Sequence, residues 1–159
     1  MKVLVMSDTH GYIFNAREAL DMHPEVEIVL HLGDYWRDAS ELSQLYPNIR
    51  FECVYGNSDI GVDTISAERT LEIDGVVIFM AHGHRYSVKW DYNRILSRAQ
   101  EENATVVLYG HTHVALVDYV QNKLVLNPGS ISESRSSKSE SYAILNIDGG
   151  EVSADIIYM

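Results

Sequence analysis

Runs of apolar residues separated by amphipathic segments organise the first third of the chain. Three short apolar-rich runs, Val3 to Met6, Val26 to Leu32 and Ile49 to Tyr55, predict strands buried in a sheet. Between them, apolar residues recur at helical spacing, first at Ala16, Ala19 and Leu20 and then at Leu42 and Leu45. This β-α-β-α-β alternation predicts right-handed crossovers and a parallel sheet.

Polar residues near these helices predict where each one begins. Asn15 is a candidate cap for the first helix, and Asp38-Ala-Ser-Glu41 resembles a capping box for the second. Pro24 and Pro47 are expected to follow the two helix ends.

The rest of the chain predicts mostly antiparallel structure. Asp74-Gly75 lies between two β-rich runs and is a strong hairpin signal. Tyr92, Ile95, Leu96 and Ala99 predict an amphipathic helix with Asn103 at its C-terminal cap. Further strands are predicted at Thr105–Tyr109, Ala115–Val120, Leu124–Asn127, Tyr142–Ile147 and Val152–Tyr158. Two mixed sheets packed face to face, with helices outside, accommodate both halves in an α/β (mixed α+β) fold.

Composition narrows the class of protein. A chain of 159 residues that is 46% apolar predicts one domain over residues 1–159. The formal net charge of −11 leaves no basic face, so specific nucleic-acid binding is not expected. No apolar run approaches the ~18 residues of a membrane span, and the N-terminal run is too short for a secretory signal, which predicts a cytoplasmic protein. The single cysteine, Cys53, is expected to be a structural thiol.

Side chains that can bind metals form five short clusters, each directly after an apolar run. A single Asp-x-His or Gly-Asp pair means little, because such pairs are common in turns and loops. Four His, two Asp and one Asn at five predicted strand ends are a much stronger joint signal. The clusters are Asp8-Thr9-His10, Gly33-Asp34, Gly56-Asn57-Ser58-Asp59, His82-Gly83-His84 and Gly110-His111-Thr112-His113.

The types of ligand indicate which metals would bind. Imidazole nitrogen mixed with carboxylate and amide oxygen favours Mn, Fe, Zn or Co over Mg or Ca. Seven ligands are too many for one ion with open positions, whereas two ions about 3.5–4 Å apart that share a carboxylate use them well. Such a pair can hold a bridging hydroxide as nucleophile and neutralise the charge of a phosphate. The clusters therefore predict metal-dependent phosphoester hydrolysis.

The ordered set of five clusters resembles the calcineurin-like metallophosphoesterase superfamily. The small size of the chain, and Asn127-Pro128-Gly129-Ser130 after the last His pair, resemble its YfcE-like family of small phosphodiesterases. The resemblance extends from Met1 to about Tyr158. It implies a four-layer αββα sandwich, two divalent transition-metal ions (Mn first, with Fe, Zn, Ni or Co as alternatives) and a small phosphodiester substrate. A homo-oligomer, either a dimer or a tetramer, is compatible with it.

The same resemblance assigns a role to each candidate ligand. It places one ion on Asp8, His10 and His113, the second on Asn57, His82 and His111, and Asp34 between them as a bridge. Asp34 and Asn57 thereby belong to the catalytic set as well as to the metal ligands.

One position departs from the superfamily pattern. Many members have a His directly after the metal-binding Asn, where it is thought to protonate the leaving group, but this chain has Ser58, a poor acid near neutral pH. His84 is a candidate catalytic acid in its place, and a ligand-orienting role is the alternative. Ser130 and Arg135 are candidate substrate contacts, with a plain turn and a solvated arginine as alternatives.

Three functions remain open at this point. The first is a metal-dependent phosphodiesterase, and the second is a phosphomonoesterase with the same centre. The third is a non-catalytic protein-interaction scaffold on the same fold, because the resemblance also extends to the small retromer subunit. Retention of all seven candidate ligands favours an enzyme.

Overall fold

A computed structural model describes residues 1–159, with ten strands, three α-helices and one 3₁₀ turn. The first half contains β1 (Lys2–Met6), α1 (Phe14–Met22), β2 (Ile28–His31), α2 (Trp36–Leu45) and β3 (Arg50–Cys53). The middle contains β4 (Glu68–Ile73), β5 (Val76–Ala81), the 3₁₀ turn His84–Tyr86, α3 (Asn93–Glu101) and β6 (Val106–Leu108). The chain continues with β7 (Leu116–Val120), β8 (Lys123–Asn127), β9 (Ser141–Asp148) and β10 (Glu151–Tyr158).

The strands form two mixed sheets of five strands each. The first has the order β10-β9-β1-β2-β3, with β1, β2 and β3 parallel and the β9–β10 hairpin antiparallel beside them. The second has the order β4-β5-β6-β8-β7, with β5, β6 and β8 parallel between two antiparallel edge strands. Both the parallel first half and the later hairpins agree with the sequence prediction.

Three hydrophobic cores show how the layers stack. The largest, with 17 buried residues that include Val5, Leu30, Met80 and Leu108, lies between the two sheets. A second core packs α1 and α2 against the outer face of the first sheet, and a third packs α3 against the second. Each large aliphatic side chain buried in these cores contributes about 1.5–3 kcal/mol. The result is the expected αββα sandwich.

The Asp74-Gly75 turn and the C-terminal end of α3 form as predicted. Asp74 and Gly75 have φ angles of 49° and 81°, as a two-residue hairpin turn with two left-handed residues requires. Asn103 has a φ of 57° directly after α3. The Asn103 amide donates to the Gln100 carbonyl and the Ala104 amide to the Ala99 carbonyl, which together complete a Schellman cap.

Both predicted N-terminal caps are wrong. Asn15 lies inside α1, and its side chain donates to the carbonyl of Ile131 instead. Helix α2 begins at Trp36, so Asp38 lies in its first turn and accepts a hydrogen bond from the Gly11 amide. In each case a contact distant in sequence competes more effectively for the side chain than the local backbone does. None of the helices is long and apolar enough to cross a membrane.

Candidate metal centre

The loops after β1, β2, β3, β5 and β6 meet at one edge of the sandwich and bring the predicted ligands together. Two groups of three residues have ligand atoms that all lie within 4.8 Å of one another inside the group. The first is Asp8, His10 and His113, and the second is Asp8, Asp34 and His82. Asp8 Oδ1 lies 3.0 Å from His113 Nε2 and 3.9 Å from His82 Nε2. The first group consists of the same three residues as the first predicted ligand set, whereas the second group shares only His82 with the second predicted set.

Asp34 lies between His10 and His82, with one oxygen toward each. Its Oδ2 is 3.7 Å from His10 Nε2, and its Oδ1 is 3.5 Å from His82 Nε2. Its carboxylate also accepts hydrogen bonds from the amide and hydroxyl of Ser58, at 2.9 and 3.0 Å. This orientation is one in which a carboxylate can bridge two ions.

Backbone carbonyls fix how two of the imidazoles face the centre. His82 Nδ1 lies 2.8 Å from the Leu32 carbonyl, and His113 Nδ1 lies 2.7 Å from the Glu133 carbonyl. A carbonyl can only accept, so both Nδ1 atoms carry the proton. The Nε2 lone pairs are left pointing at the carboxylates, as for metal-ligating histidines whose other nitrogen is held by a hydrogen bond.

Oxygen and nitrogen atoms that can bind a metal are crowded together at the centre. Asp8 Oδ1 is buried and makes no hydrogen bond, although unpaired buried carboxylate oxygens are costly. His10 Nε2 and His113 Nε2 lie only 3.3 Å apart. A divalent cation satisfies such a set of carboxylate oxygens and imidazole nitrogens, so the residues present fit a metal site.

The titration behaviour is consistent with a preformed anionic pocket. Burial opposes ionisation of Asp8, but the imidazole of His113, the nearby His82 and the Ser7 hydroxyl hold its pKa at about 2. Burial likewise opposes protonation of His113, and Asp8 nevertheless raises the pKa of that imidazole above its usual value. Burial and the nearby His82 and Lys89 lower the pKa of His111 to about 4. A metal ion would displace any proton from these nitrogens.

The backbone of the candidate ligands is unusual. Positive φ angles are uncommon outside glycine and concentrate at functional sites, where each costs about 1–3 kcal/mol. Five of the seven candidates adopt them: Asp8 (57°), His10 (48°), Asp34 (55°), His111 (68°) and His113 (59°). The strand exits therefore hold these side chains in directions that regular backbone would not give.

Two glycines permit the close approach of the loops. A Cβ atom at Gly56 would lie 2.1 Å from Asp34 Oδ1, and one at Gly110 would lie 2.0 Å from Ser7 Oγ. Any side chain at either position would push on the carboxylates of Asp34 or Asp8. The glycines in the clusters are thus part of the geometry of the site.

The remaining candidates border this cluster. Asn57 Oδ1 lies 3.2 Å from His82 Nε2, and the His111 ring is centred 5.0 Å from the His82 ring. His84 is half-buried, with its ring 5.4 Å from His82, and its buried Nδ1 has no hydrogen-bond partner. Burial and the neighbouring His82 lower the pKa of His84.

The two candidate substrate contacts differ in position. Ser130 is fully buried; its hydroxyl donates to the Asp8 carbonyl and accepts from the Ser132 and Glu133 amides. The prediction that Ser130 contacts substrate is therefore corrected, because this hydroxyl supports the Asp8 loop from beneath. Arg135 is exposed, and its guanidinium makes no hydrogen bond, while its amide donates to the His113 carbonyl.

Sequence reasoning missed three residues that organise the centre. His31 is fully buried at the end of β2 and lies between the first two loops, where burial lowers its pKa to about 4. Thr9 links it to Asp34. Asp59 accepts hydrogen bonds from the amides of Gly56, Tyr35 and Trp36, so it caps α2 from another loop. Thr9 and Asp59 belong to the sequence clusters, but nothing local gave them a role, and a His at the end of a buried strand is an ambiguous signal.

A groove of about 190 Å³ opens beside Ser58 at the rim of the centre. The Arg37 guanidinium lies 6.0 Å from the centre of the Trp36 ring, and Ile60 is 88% exposed. The residues that line the groove are Tyr35, Trp36, Arg37, Ser58, Asp59 and Ile60.

The fold and the centre together define a two-sheet metallophosphoesterase, and comparison with known proteins agrees. The chain belongs to the calcineurin-like phosphoesterase superfamily, whose domain model matches residues 1–150. A probable metallophosphoesterase of Bacillus subtilis, YsnB, is 35% identical over 150 residues, covering 93% of this chain and 85% of that protein. Phosphodiesterase MJ0936 of Methanocaldococcus jannaschii is 34% identical over 147 residues, covering 81% and 83%.

Solved structures show the same fold. An uncharacterised Streptococcus pneumoniae protein described as a predicted phosphoesterase superposes with a TM-score of 0.82 at 32% identity, covering 99% of this chain and 88% of that one. Vps29 of Entamoeba histolytica superposes with a TM-score of 0.78 over 100% of this chain and 99% of that one. Its identity is 21%, so this likeness concerns the fold alone.

Proposed function

We propose that the protein is a metal-dependent phosphodiesterase that acts through a dinuclear centre, within one domain spanning residues 1–159. The observation that carries this proposal is the position of Asp34, whose two oxygens face the His10 and His82 sides of the cluster at 3.7 and 3.5 Å. Asp8, His10 and His113 would hold one ion, and Asn57, His82 and His111 the other. The mixed nitrogen and oxygen ligands favour manganese, with Fe, Zn, Ni and Co as alternatives.

Divalent ions bound here would lower the pKa of a water molecule and neutralise charge on the phosphate oxygens. The chain contributes preorganisation. Ser58 fixes the orientation of the Asp34 carboxylate with two hydrogen bonds, and the Leu32 and Glu133 carbonyls fix His82 and His113. The Arg135 guanidinium, which has no protein partner, is available to a phosphate oxygen beside His113.

The chain offers few groups that could protonate the leaving group. The Ser58 hydroxyl donates to Asp34 Oδ2, so it is committed to orienting that carboxylate. His84 borders the centre as the candidate acid, but its lowered pKa leaves little of the imidazolium at neutral pH. Substrates whose leaving groups need little protonation are therefore expected to react fastest.

The groove beside Ser58 favours a diester over a monoester. A phosphodiester carries a second esterified group, and the exposed Tyr35 and Ile60 together with the half-buried Trp36 offer it an apolar surface. A monoester has only its leaving group, so it lacks the second group that would fill the groove while the leaving group lies elsewhere. The phosphodiesterase names of MJ0936 and of an archaeal protein whose structure superposes with a TM-score of 0.75 at 30% identity support the same choice.

The test is hydrolysis of bis-p-nitrophenyl phosphate and p-nitrophenyl phosphate by metal-stripped protein, before and after addition of Mn²⁺. We expect Mn²⁺ to restore turnover, with the diester preferred. Preference for the monoester would establish a phosphomonoesterase instead. No metal-dependent turnover of either compound would refute the enzyme and leave the interaction scaffold, a function that the shared fold of Vps29 allows.

A further inference from the structure

We propose that His31 and Thr9 form a clasp that holds the two metal-binding loops after β1 and β2 at a fixed separation and so sets the affinity of the centre for metal. This inference rests on the proposed metal centre and concerns residues that are not themselves ligands. His31 ends β2, and Thr9 lies between Asp8 and His10. Both are fully buried.

The hydrogen bonds of the clasp run in one direction only. The Gly33 amide donates to His31 Nδ1 at 3.2 Å, so that nitrogen must be the acceptor. The imidazole proton therefore resides on Nε2, which lies 3.2 Å from Thr9 Oγ1 and donates to it. The Thr9 hydroxyl is then free to donate its own proton to the Asp34 carbonyl, at 3.3 Å.

This directionality makes a neutral His31 and a hydroxyl at position 9 both necessary. A doubly protonated imidazole would direct a second N–H at the Gly33 amide, and an apolar residue at position 9 would leave His31 Nε2 without an acceptor. The clasp also fixes two loops with strained backbone, since Asp8 and His10 on one and Asp34 on the other have positive φ angles. Such strain persists only where the surroundings hold it in place.

The position of Thr9 among the candidate ligands links the clasp to metal binding. Thr9 is flanked by two candidate ligands and bonded to the backbone of a third, so the clasp determines where Asp8, His10 and Asp34 stand relative to one another. Residues that orient metal ligands typically alter metal affinity about 10- to 100-fold when they are replaced.

The experiment measures Mn²⁺ affinity of metal-stripped protein by isothermal titration calorimetry. Thr9→Val keeps the shape of the side chain and removes the hydroxyl, whereas Thr9→Ser retains it. We expect Thr9→Val to bind Mn²⁺ about 10- to 100-fold more weakly and Thr9→Ser to bind nearly as the wild type does. His31→Gln, whose amide can still donate toward Thr9, serves as a second variant and should lose less affinity than Thr9→Val.

A stability control separates this role from a merely structural one. Val29→Ala removes buried methyl groups from the same strand, on the face that packs under the helices, and should lower the Tm without changing Mn²⁺ affinity. Equal Mn²⁺ affinity in wild type and Thr9→Val would overturn the clasp, as would a weakening that Val29→Ala reproduces. Absence of Mn²⁺ binding by the wild type would instead overturn the metal centre itself.

Discussion

The buried imidazole of His31 predicts a specific loss of stability in mild acid. Burial lowers its pKa from 6.5 to about 4, against the opposing charges of Asp38, Asp8 and Asp59 and with a smaller contribution from His82. In the unfolded chain the same group titrates near its ordinary value. Between these two values the unfolded state binds the proton more readily, so folding loses free energy as the pH falls.

The sign and size follow from this linkage. The stabilisation by neutral His31 is complete above pH 6.5, the pKa of the group in the unfolded chain. It is lost as the pH falls toward about 4, the pKa in the folded protein. Each unit of pKa shift is worth about 1.36 kcal/mol of folding free energy. Over the range from about pH 7 to about pH 4.5, the free energy of unfolding therefore falls by about 2 kcal/mol.

The assay is urea unfolding of metal-stripped protein at several pH values in that range, for wild type and His31→Gln. The variant has no titrating group at this position, so the difference between the two pH profiles isolates His31 from the carboxylates and from His111. We expect the free energy of unfolding to fall about 2 kcal/mol further in the wild type than in the variant. Parallel pH profiles would refute the argument that His31 is buried and neutral.

Four further predictions concern the centre, the groove and one helix. Asp34→Asn should reduce Mn²⁺-dependent hydrolysis at least about 100-fold and Ser58→Ala only about 10-fold, because the Ser58 amide still bonds Asp34; equal residual activity would contradict the bridge. Trp36→Ala should raise KM for bis-p-nitrophenyl phosphate about 2- to 10-fold and raise KM for p-nitrophenyl phosphate, which has one aryl group fewer, by less. Asn103→Ala should cost about 1 kcal/mol in urea unfolding, whereas Asn103→Gly should not, and a loss with glycine would rule out the left-handed cap. Mn²⁺ at about 100 times its Kd should stabilise the fold by about 2.7 kcal/mol, and an unchanged Tm would argue against native-state binding.

Features with a repeating local cause were predictable from the sequence. The runs that became β1 and β2, and the Asp74-Gly75 turn, depend on periodicity and on backbone preferences that any fold must satisfy. Asn103 was found as a cap because few residues other than glycine tolerate its left-handed conformation. The clusters at strand ends were visible because strand direction alone brings them together.

Features that depend on distant contacts were not predictable. The sequence predicts Asp38 as the N-terminal cap of α2, but its carboxylate accepts a hydrogen bond from the Gly11 amide. Asp59, on the loop after β3, accepts hydrogen bonds from the amides at the start of α2 instead. Ser130 follows a turn that suggests an exposed anion site, yet it is buried beneath Asp8. In each case the partner lies more than 20 residues away, and no local preference specifies which of several acceptors a side chain will find.

The pairing of β1 with β9 has a consequence for synthesis of the chain. Asp8 is held by the His111 amide and by the hydroxyls of Ser130 and Ser132, groups more than 100 residues further along the sequence. A ribosome therefore releases most of the protein before the centre can close. Until then β1 keeps one edge unpaired, and the Asp8 carboxylate on the loop after it is open to any cation nearby. We expect nascent chains that stop short of β9 to be recognised by chaperones and to capture metal only weakly, so that metal loading is a late event in maturation.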